Sequence, residues 1–180
     1  MTSTTPDWRI ELLEAHPRLF HGPLDRPYAA EGYPNCEEGW RELLERACAR
    51  IEAALVEGST FRVLQIKEKF GVLRFYWDGE MSAPVKAKVE EAIALATARS
   101  ACTCEICGLE GRLYSRGGWL ATACPHHARG DAVSIRPGFE KLRIVRRIVE
   151  GSVRITCCQR YDRQIDALVD VDPKLLGIEE

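Results

Sequence analysis

Apolar residues recur at helical spacing in several stretches of this chain. Between Glu37 and Glu57, Trp40, Leu43, Leu44, Ala47, Cys48, Ile51, Ala54 and Leu55 fall three and four apart, which predicts a helix with its apolar stripe on a core. Gly58 stands where a C-terminal cap belongs. From Ser82 to Ser100 a second stripe, Val85, Val89, Ile93 and Ala96, follows a serine cap and Pro84 in the first turn. A shorter helix is expected after Thr5-Pro6-Asp7, with Trp8, Leu12, Leu13 and Ala15 on one side and His16-Pro17 as its end. Residues 21–36 are rich in Gly, Pro and Tyr and predict a long loop.

Two other stretches change period. Phe61 to Ile66 and Val72 to Trp77 are rich in strand formers and flank a charged loop, Lys67 to Gly71; Asp78-Gly79 follows as a turn. They predict a β-hairpin. Arg112-Leu113-Tyr114 and Trp119 to Thr122, around Ser115-Arg116-Gly117-Gly118, predict a second, shorter hairpin. Beyond it, Phe139, Leu142, Ile144, Val145, Ile148 and Val149 fit a helix carrying Lys141, Arg143, Arg146 and Arg147. Val153 to Thr156 alternates like a strand, and Tyr161 to Arg163 with Ala167 to Val171 predict a last short hairpin. The fold expected is α+β: helices packed on a β-hairpin over 1–100, an inserted finger over 101–130, and a small α/β extension over 131–180 with a basic helix and short strands.

The finger carries the clearest chemistry. Cys104 and Cys107 form a C-x2-C pair, sixteen residues intervene, and Cys124 with His127 forms C-x2-H. Two residues between ligands let a tight knuckle aim both side chains at one point, and two knuckles complete a tetrahedron; this is structural-zinc spacing. Gly108 permits the left-handed turn after the first knuckle. Pro125 suits the start of a helix after Cys124, a treble-clef-like order, and the finger expected is treble-clef-like or zinc-ribbon-like. His126 is the second choice for the fourth ligand, since it leaves one intervening residue. Cys102 is out of register. Cys36, Cys48 and the adjacent Cys157-Cys158 have no partner at knuckle spacing, and His16 and His21 stand alone. Three cysteines and one histidine leave no open coordination position, so the ion expected is structural.

Composition narrows the setting. No apolar run reaches membrane-spanning length, and the first residues show neither a basic region nor an apolar one. With three of eight cysteines assigned to a metal, a reducing cytoplasm is the compartment expected. The net charge of −2 implies no polyanion by itself, but its distribution is uneven. Residues 1–60 balance at −5, residues 129–163 at +5 and residues 164–180 at −4. Alternating aromatic and basic residues at Arg74 to Trp77, beside Lys67 and Lys69, suit either core packing or a stacking platform.

Gln65 to Tyr76 reads QIKEKFGVLRFY; Glu38-Gly39-Trp40 precedes it, and Cys104 to Gly108 and Gly118-Trp119 to Cys124-x-x-His127 follow. This combination, over residues 8–128, resembles a family of uncharacterised bacterial and phage or prophage proteins. Members often carry further cysteines before the Gly-Trp pair, where this chain has only Cys36. The resemblance implies the fold and the zinc finger, and no particular activity.

Three functions are consistent with these residues. The leading one is a non-enzymatic, zinc-stabilised binding protein with a protein partner and no membrane. In the phage or prophage setting it would modulate a host system such as defence. The alternative is a nucleic-acid-binding protein using the basic 136–163 segment, with Lys67, Lys69, Arg74, Lys141, Arg143, Arg146 and Arg147 on phosphates. The third is a treble-clef metal-dependent nuclease with His126 as general base; Asp131 is the only nearby carboxylate, and the usual partners of such a base are missing.

Overall fold

The computed structural model describes residues 7–22, 26–149 and 151–178. Helix α1 covers Trp8–Ala15, α2 Arg41–Ala54 and α3 Ala83–Ser100. Among the described residues, eight antiparallel strands form three small sheets. They are β1 (Arg62–Lys69) with β2 (Val72–Asp78); β3 (Arg112–Arg116), β4 (Trp119–Ala123) and β5 (Asp131–Ala132); and β6 (Leu142–Val149), β7 (Ser152–Asp162) and β8 (Ala167–Val171). The protein is therefore mixed α+β. Among the described residues, no helix is long and apolar enough to cross a membrane.

The predicted stripes bury themselves together. Leu43, Leu44, Ala47, Cys48 and Ile51 of α2, with Val89, Ala92 and Ala96 of α3, meet Val63, Ile66, Leu73 and Phe75 of the first hairpin in one core, closed by Trp8, Leu12 and Trp40. Phe61 and Trp77 stack with ring centroids 5.2 Å apart. Each such side chain removed from water stabilises the fold by about 1.5–3 kcal/mol, which is why the stripes outweigh local preferences.

Local details differ from expectation. The proposed Thr5-Pro6 start lies outside the described residues, and Asp7 is the N-cap, its carboxylate accepting from the Arg9 amide at 3.0 Å. Ser82 has the extended backbone of a cap but makes no capping side-chain bond. Helix α2 stops at Ala54 because Leu55 turns extended and buries its side chain; Gly58 serves the turn that follows. The segment before α2 is irregular where it is described, as expected, but its residues 32–35 run along β1. The Asn35 amide donates to the Ile66 carbonyl at 2.9 Å and the Gly32 amide to the Leu64 carbonyl at 3.1 Å, which covers that edge.

The charged loop of the first hairpin shrinks to two residues. Phe70 and Gly71 both take left-handed φ values, 58° and 78°, the geometry of a two-residue primed turn. Lys67, Glu68 and Lys69 are therefore strand residues, paired with Arg74, Leu73 and Val72.

The basic helix expected over 139–149 is a strand. Leu142 to Val149 pairs with β7 from Leu142 opposite Arg160 to Val149 opposite Ser152. The run is dense in Ile and Val, whose branched side chains favour the pleated surface. Their near-helical spacing lost to pairing with a partner strand, which local periodicity does not register. The predicted 153–156 strand and the last hairpin merge into β7 and β8, so the C-terminal extension is a three-stranded sheet ending in a short 3-10 turn, Pro173–Leu176.

Candidate metal centre

Helix α3 delivers the chain directly to the first knuckle. The Cys104 amide donates to the Leu109 carbonyl and the Gly108 amide to the Cys104 carbonyl, both at 2.8 Å. Gly108 takes the left-handed φ of 76° that the turn requires. The β3–β4 hairpin then returns the chain to Cys124. There the helix expected after Pro125 is absent: the amides of His127 and Ala128 both donate to the Cys124 carbonyl, at 3.1 and 2.9 Å, and the chain leaves as a single turn into β5. A short third strand, β5, pairs with β3 after this turn.

The two knuckles bring Cys104, Cys107, Cys124 and His127 together, with one ligand atom from each lying within 4.8 Å of all the others. Sγ of Cys107 and Sγ of Cys124 are 3.7 Å apart. The nitrogen Nδ1 of His127 is 3.5 Å from Sγ of Cys104 and 3.4 Å from Sγ of Cys124. These four residues could hold a metal ion, and Nδ1 is the histidine atom presented. His126, the second choice for this ligand, is exposed and outside the cluster, as is Asp131.

The surroundings prepare the thiols for an ion. Burial by itself raises the Cys104 thiol; the amides of Cys124, Cys107 and Ile106 and the ring of His127 outweigh it and hold the group at about 6. At Cys107 the Leu109 amide lowers the thiol, but burial and the neighbouring Cys104 and Cys124 sulfurs leave it above its ordinary value. Three sulfurs this close resist carrying three negative charges together, and a divalent cation removes that repulsion. The remaining cysteines are elsewhere. Burial, reinforced by Glu105, pushes Cys36 up to about 12, and burial likewise raises Cys48; both are packing residues. Cys102 is buried against Leu95 and Tyr161, and Cys158 is buried while Cys157 is half-buried.

Supports of the knuckle come from distant parts of the chain. Gly39 lies flat against it: a Cβ there would overlap the carbonyl oxygens of Cys104 and Glu105. The indole of Trp40, fully buried, donates to the Thr103 carbonyl at 3.0 Å. Glu105 accepts from the Glu37 amide at 3.1 Å. From the other side Arg163 donates to the Cys102 carbonyl at 3.1 Å, to the Thr103 hydroxyl at 2.5 Å and to the Gly108 carbonyl at 3.3 Å. The Thr122 hydroxyl donates to the Gly71 carbonyl at 2.6 Å, tying the finger to the tip of the first hairpin. Sequence reasoning attached none of these residues to the site. They lie as far as 68 positions from the knuckle residues they touch, and of them the Gly39-Trp40 pair and Gly71 stood out in the sequence.

The basic residues named from sequence are divided between two sheets. Lys67, Lys69 and Arg74 share the outward side of the first hairpin. Lys141 pairs with Glu110 at 2.9 Å and Arg143 donates to Gln159 at 3.0 Å, on the C-terminal sheet. Arg146 is exposed on β6, and the side chain of Arg147 lies outside the described residues. A second cluster fastens that sheet to the helices. Asp166 receives Arg50 at 2.7 Å, Arg46 at 3.2 Å and the Tyr161 hydroxyl at 2.5 Å. Burial raises the Asp166 carboxyl, but Tyr161, Arg50 and Arg99 bring it below its usual range.

Comparison with models of protein families, with curated proteins and with solved structures finds no match to this chain.

Proposed function

We propose that the chain is a non-enzymatic binding protein whose fold is locked by a structural zinc ion on Cys104, Cys107, Cys124 and His127. The observation that carries this reading is the spacing of the ligand atoms. Zinc at about 2.3 Å from sulfur and about 2.05 Å from nitrogen gives tetrahedral edges of about 3.8 Å between sulfurs and about 3.6 Å from sulfur to nitrogen. Three of the six separations here are 3.7, 3.5 and 3.4 Å, and all six lie within 4.8 Å. Three thiolates and an imidazole complete the tetrahedron, so no position is left for substrate or activated water. The ion's role is mechanical: it fastens the knuckle that Gly39 and Trp40 hold from the helical body and Arg163 holds from the C-terminal sheet.

The partner in this reading is a protein. The end of the β6–β7 hairpin supports it, where Ile148 and Val153 face each other across the strands at 77% and 67% exposure, an apolar pair set out in solvent. The resemblance to bacterial and prophage proteins makes a host regulatory or defence component the natural target, with the cytoplasm as the compartment. Metal analysis of the purified chain, followed by crosslinking in host extract, tests both parts. One zinc per chain is expected, with a crosslinked protein that Ile148→Asp and Val153→Asp abolish. Absence of stoichiometric metal overturns the scaffold, and crosslinks indifferent to those substitutions overturn the docking surface.

A further inference from the structure

The first hairpin is a sheet with one buried face and one open face. Val63, Ile66, Leu73 and Phe75 point into the core. The opposite face carries Lys67, Lys69, Arg74 and Tyr76, with Phe70 at the turn. Lys67 stands directly opposite Arg74, and Lys69 lies two residues along on the same side. Like charges in facing positions destabilise a strand pair, so nothing in folding calls for this arrangement. Among the described residues none of these three cations has a carboxylate partner. The adjacent Glu68 is engaged elsewhere, accepting from the Gly71 amide at 2.5 Å.

Aromatic rings are interleaved with these charges and exposed. Tyr76 is 47% and Phe70 59% accessible, with the Lys67 ammonium 5.6 Å from the Tyr76 ring centroid and the Lys69 ammonium 5.2 Å from that of Phe70. A partner recognised by charge alone would leave those ring faces unused. Duplex nucleic acid would offer phosphates but keep its bases stacked inside. A single strand offers both phosphates and free base faces, and rings between cations match that combination. Val72 to Tyr76 spans about 13 Å, room for a short run of nucleotides. At the turn, Phe70 and Val72 also border a groove of about 1000 Å³ whose ionic lining is mixed, Glu90, Glu110 and Glu140 standing with Arg112, Lys141 and Arg143, so the cationic surface proposed here is confined to the hairpin face.

We propose that the outward face of the β1–β2 hairpin binds single-stranded nucleic acid, with Tyr76 and Phe70 stacking on bases and Lys67, Lys69 and Arg74 contacting phosphates. This goes beyond the zinc-locked scaffold and uses a surface separate from the Ile148–Val153 pair.

The test is fluorescence anisotropy of labelled oligo(dT) and oligo(rU) with the metal-loaded full chain. Three phosphate contacts predict a log–log salt slope of about −2, an affinity loss of about twenty-fold between 50 and 200 mM salt. Tyr76→Leu should weaken binding by about 5- to 150-fold, the span for loss of one stacked base. The triple variant Lys67→Gln, Lys69→Gln, Arg74→Gln should bring the slope near zero. All four positions are at least partly exposed, so unchanged melting and zinc content will show that the variants remain folded. The proposal is overturned if single strands fail to bind at 50 mM salt, or if duplex of the same sequence or poly-glutamate competes as well as unlabelled single strand. Wild-type affinity in either variant overturns it too. Metal analysis of the same samples separates these failures from failure of the zinc scaffold.

Discussion

Replacing Gly39 by alanine adds one methyl group sixty-five residues upstream of Cys104, and it should loosen the metal centre. The added Cβ would fall 2.5 Å from the Gly108 nitrogen and nearer still to the carbonyl oxygens of Cys104 and Glu105. All three atoms are backbone, so no side chain can swing aside. Contacts of Cβ below 3.0 Å are essentially never seen, so the knuckle must retreat by about 0.5 Å. That retreat exceeds the roughly ±0.2 Å within which metal–ligand distances are held. Arg163 also holds the Gly108 carbonyl, at 3.3 Å. Over-packing of this kind costs about 1–3 kcal/mol, or about 2–12 °C in melting temperature for a chain of this size. A disturbed support of a ligand loop weakens metal affinity by about 10–100-fold. Calorimetric melting with and without chelator, together with zinc competition against a chromophoric chelator, measures both. Glu38→Ala, at an exposed neighbour, should stay within about 0.5 kcal/mol of the parent. Parental melting and parental zinc affinity in Gly39→Ala would refute the close-approach reasoning.

Further outcomes follow from the same contacts. His127→Ala should lose stoichiometric zinc while His126→Ala keeps it, which metal analysis of the two purified variants decides. Chelation should free the Gly108 end of the knuckle from Arg163 and raise amide hydrogen exchange in β7 and β8 more than in α2; a uniform rise would count against that link. Asp166 supplies a pH dependence. Its folded carboxyl lies below the ordinary value, so its stabilisation is complete above about pH 4 and declines as pH falls from there through the lower folded value. Asp166→Asn should cost about 1–3 kcal/mol at pH 7 and less in acid, and denaturant midpoints at pH 7 and pH 3 would show whether that difference narrows.

The parts of this protein legible from sequence are those with short-range causes. A two-residue ligand spacing folds a knuckle wherever it sits, so the spacing alone grouped Cys104, Cys107, Cys124 and His127, the four residues that the structure brings together, with His126 as the second choice for the last of them. The stripes of α2 and α3 and the strands of the first hairpin were equally plain, because burying an apolar face dominates their energetics. Tertiary structure decided what depends on a distant partner. Pairing with β7 made Leu142 to Val149 a strand although its spacing suits a helix. A single turn into β5 replaced the helix expected after Pro125. The flat approach of Gly39 and the reach of Arg163 to the knuckle exist only once the helices and sheets have met. The two-residue turn at Phe70-Gly71 divided the basic residues, leaving Lys67, Lys69 and Arg74 on one open face while Lys141 took Glu110 as its partner. A sequence records which charges are present; which of them remain unneutralised is settled by the packing that brings carboxylates to some and not to others.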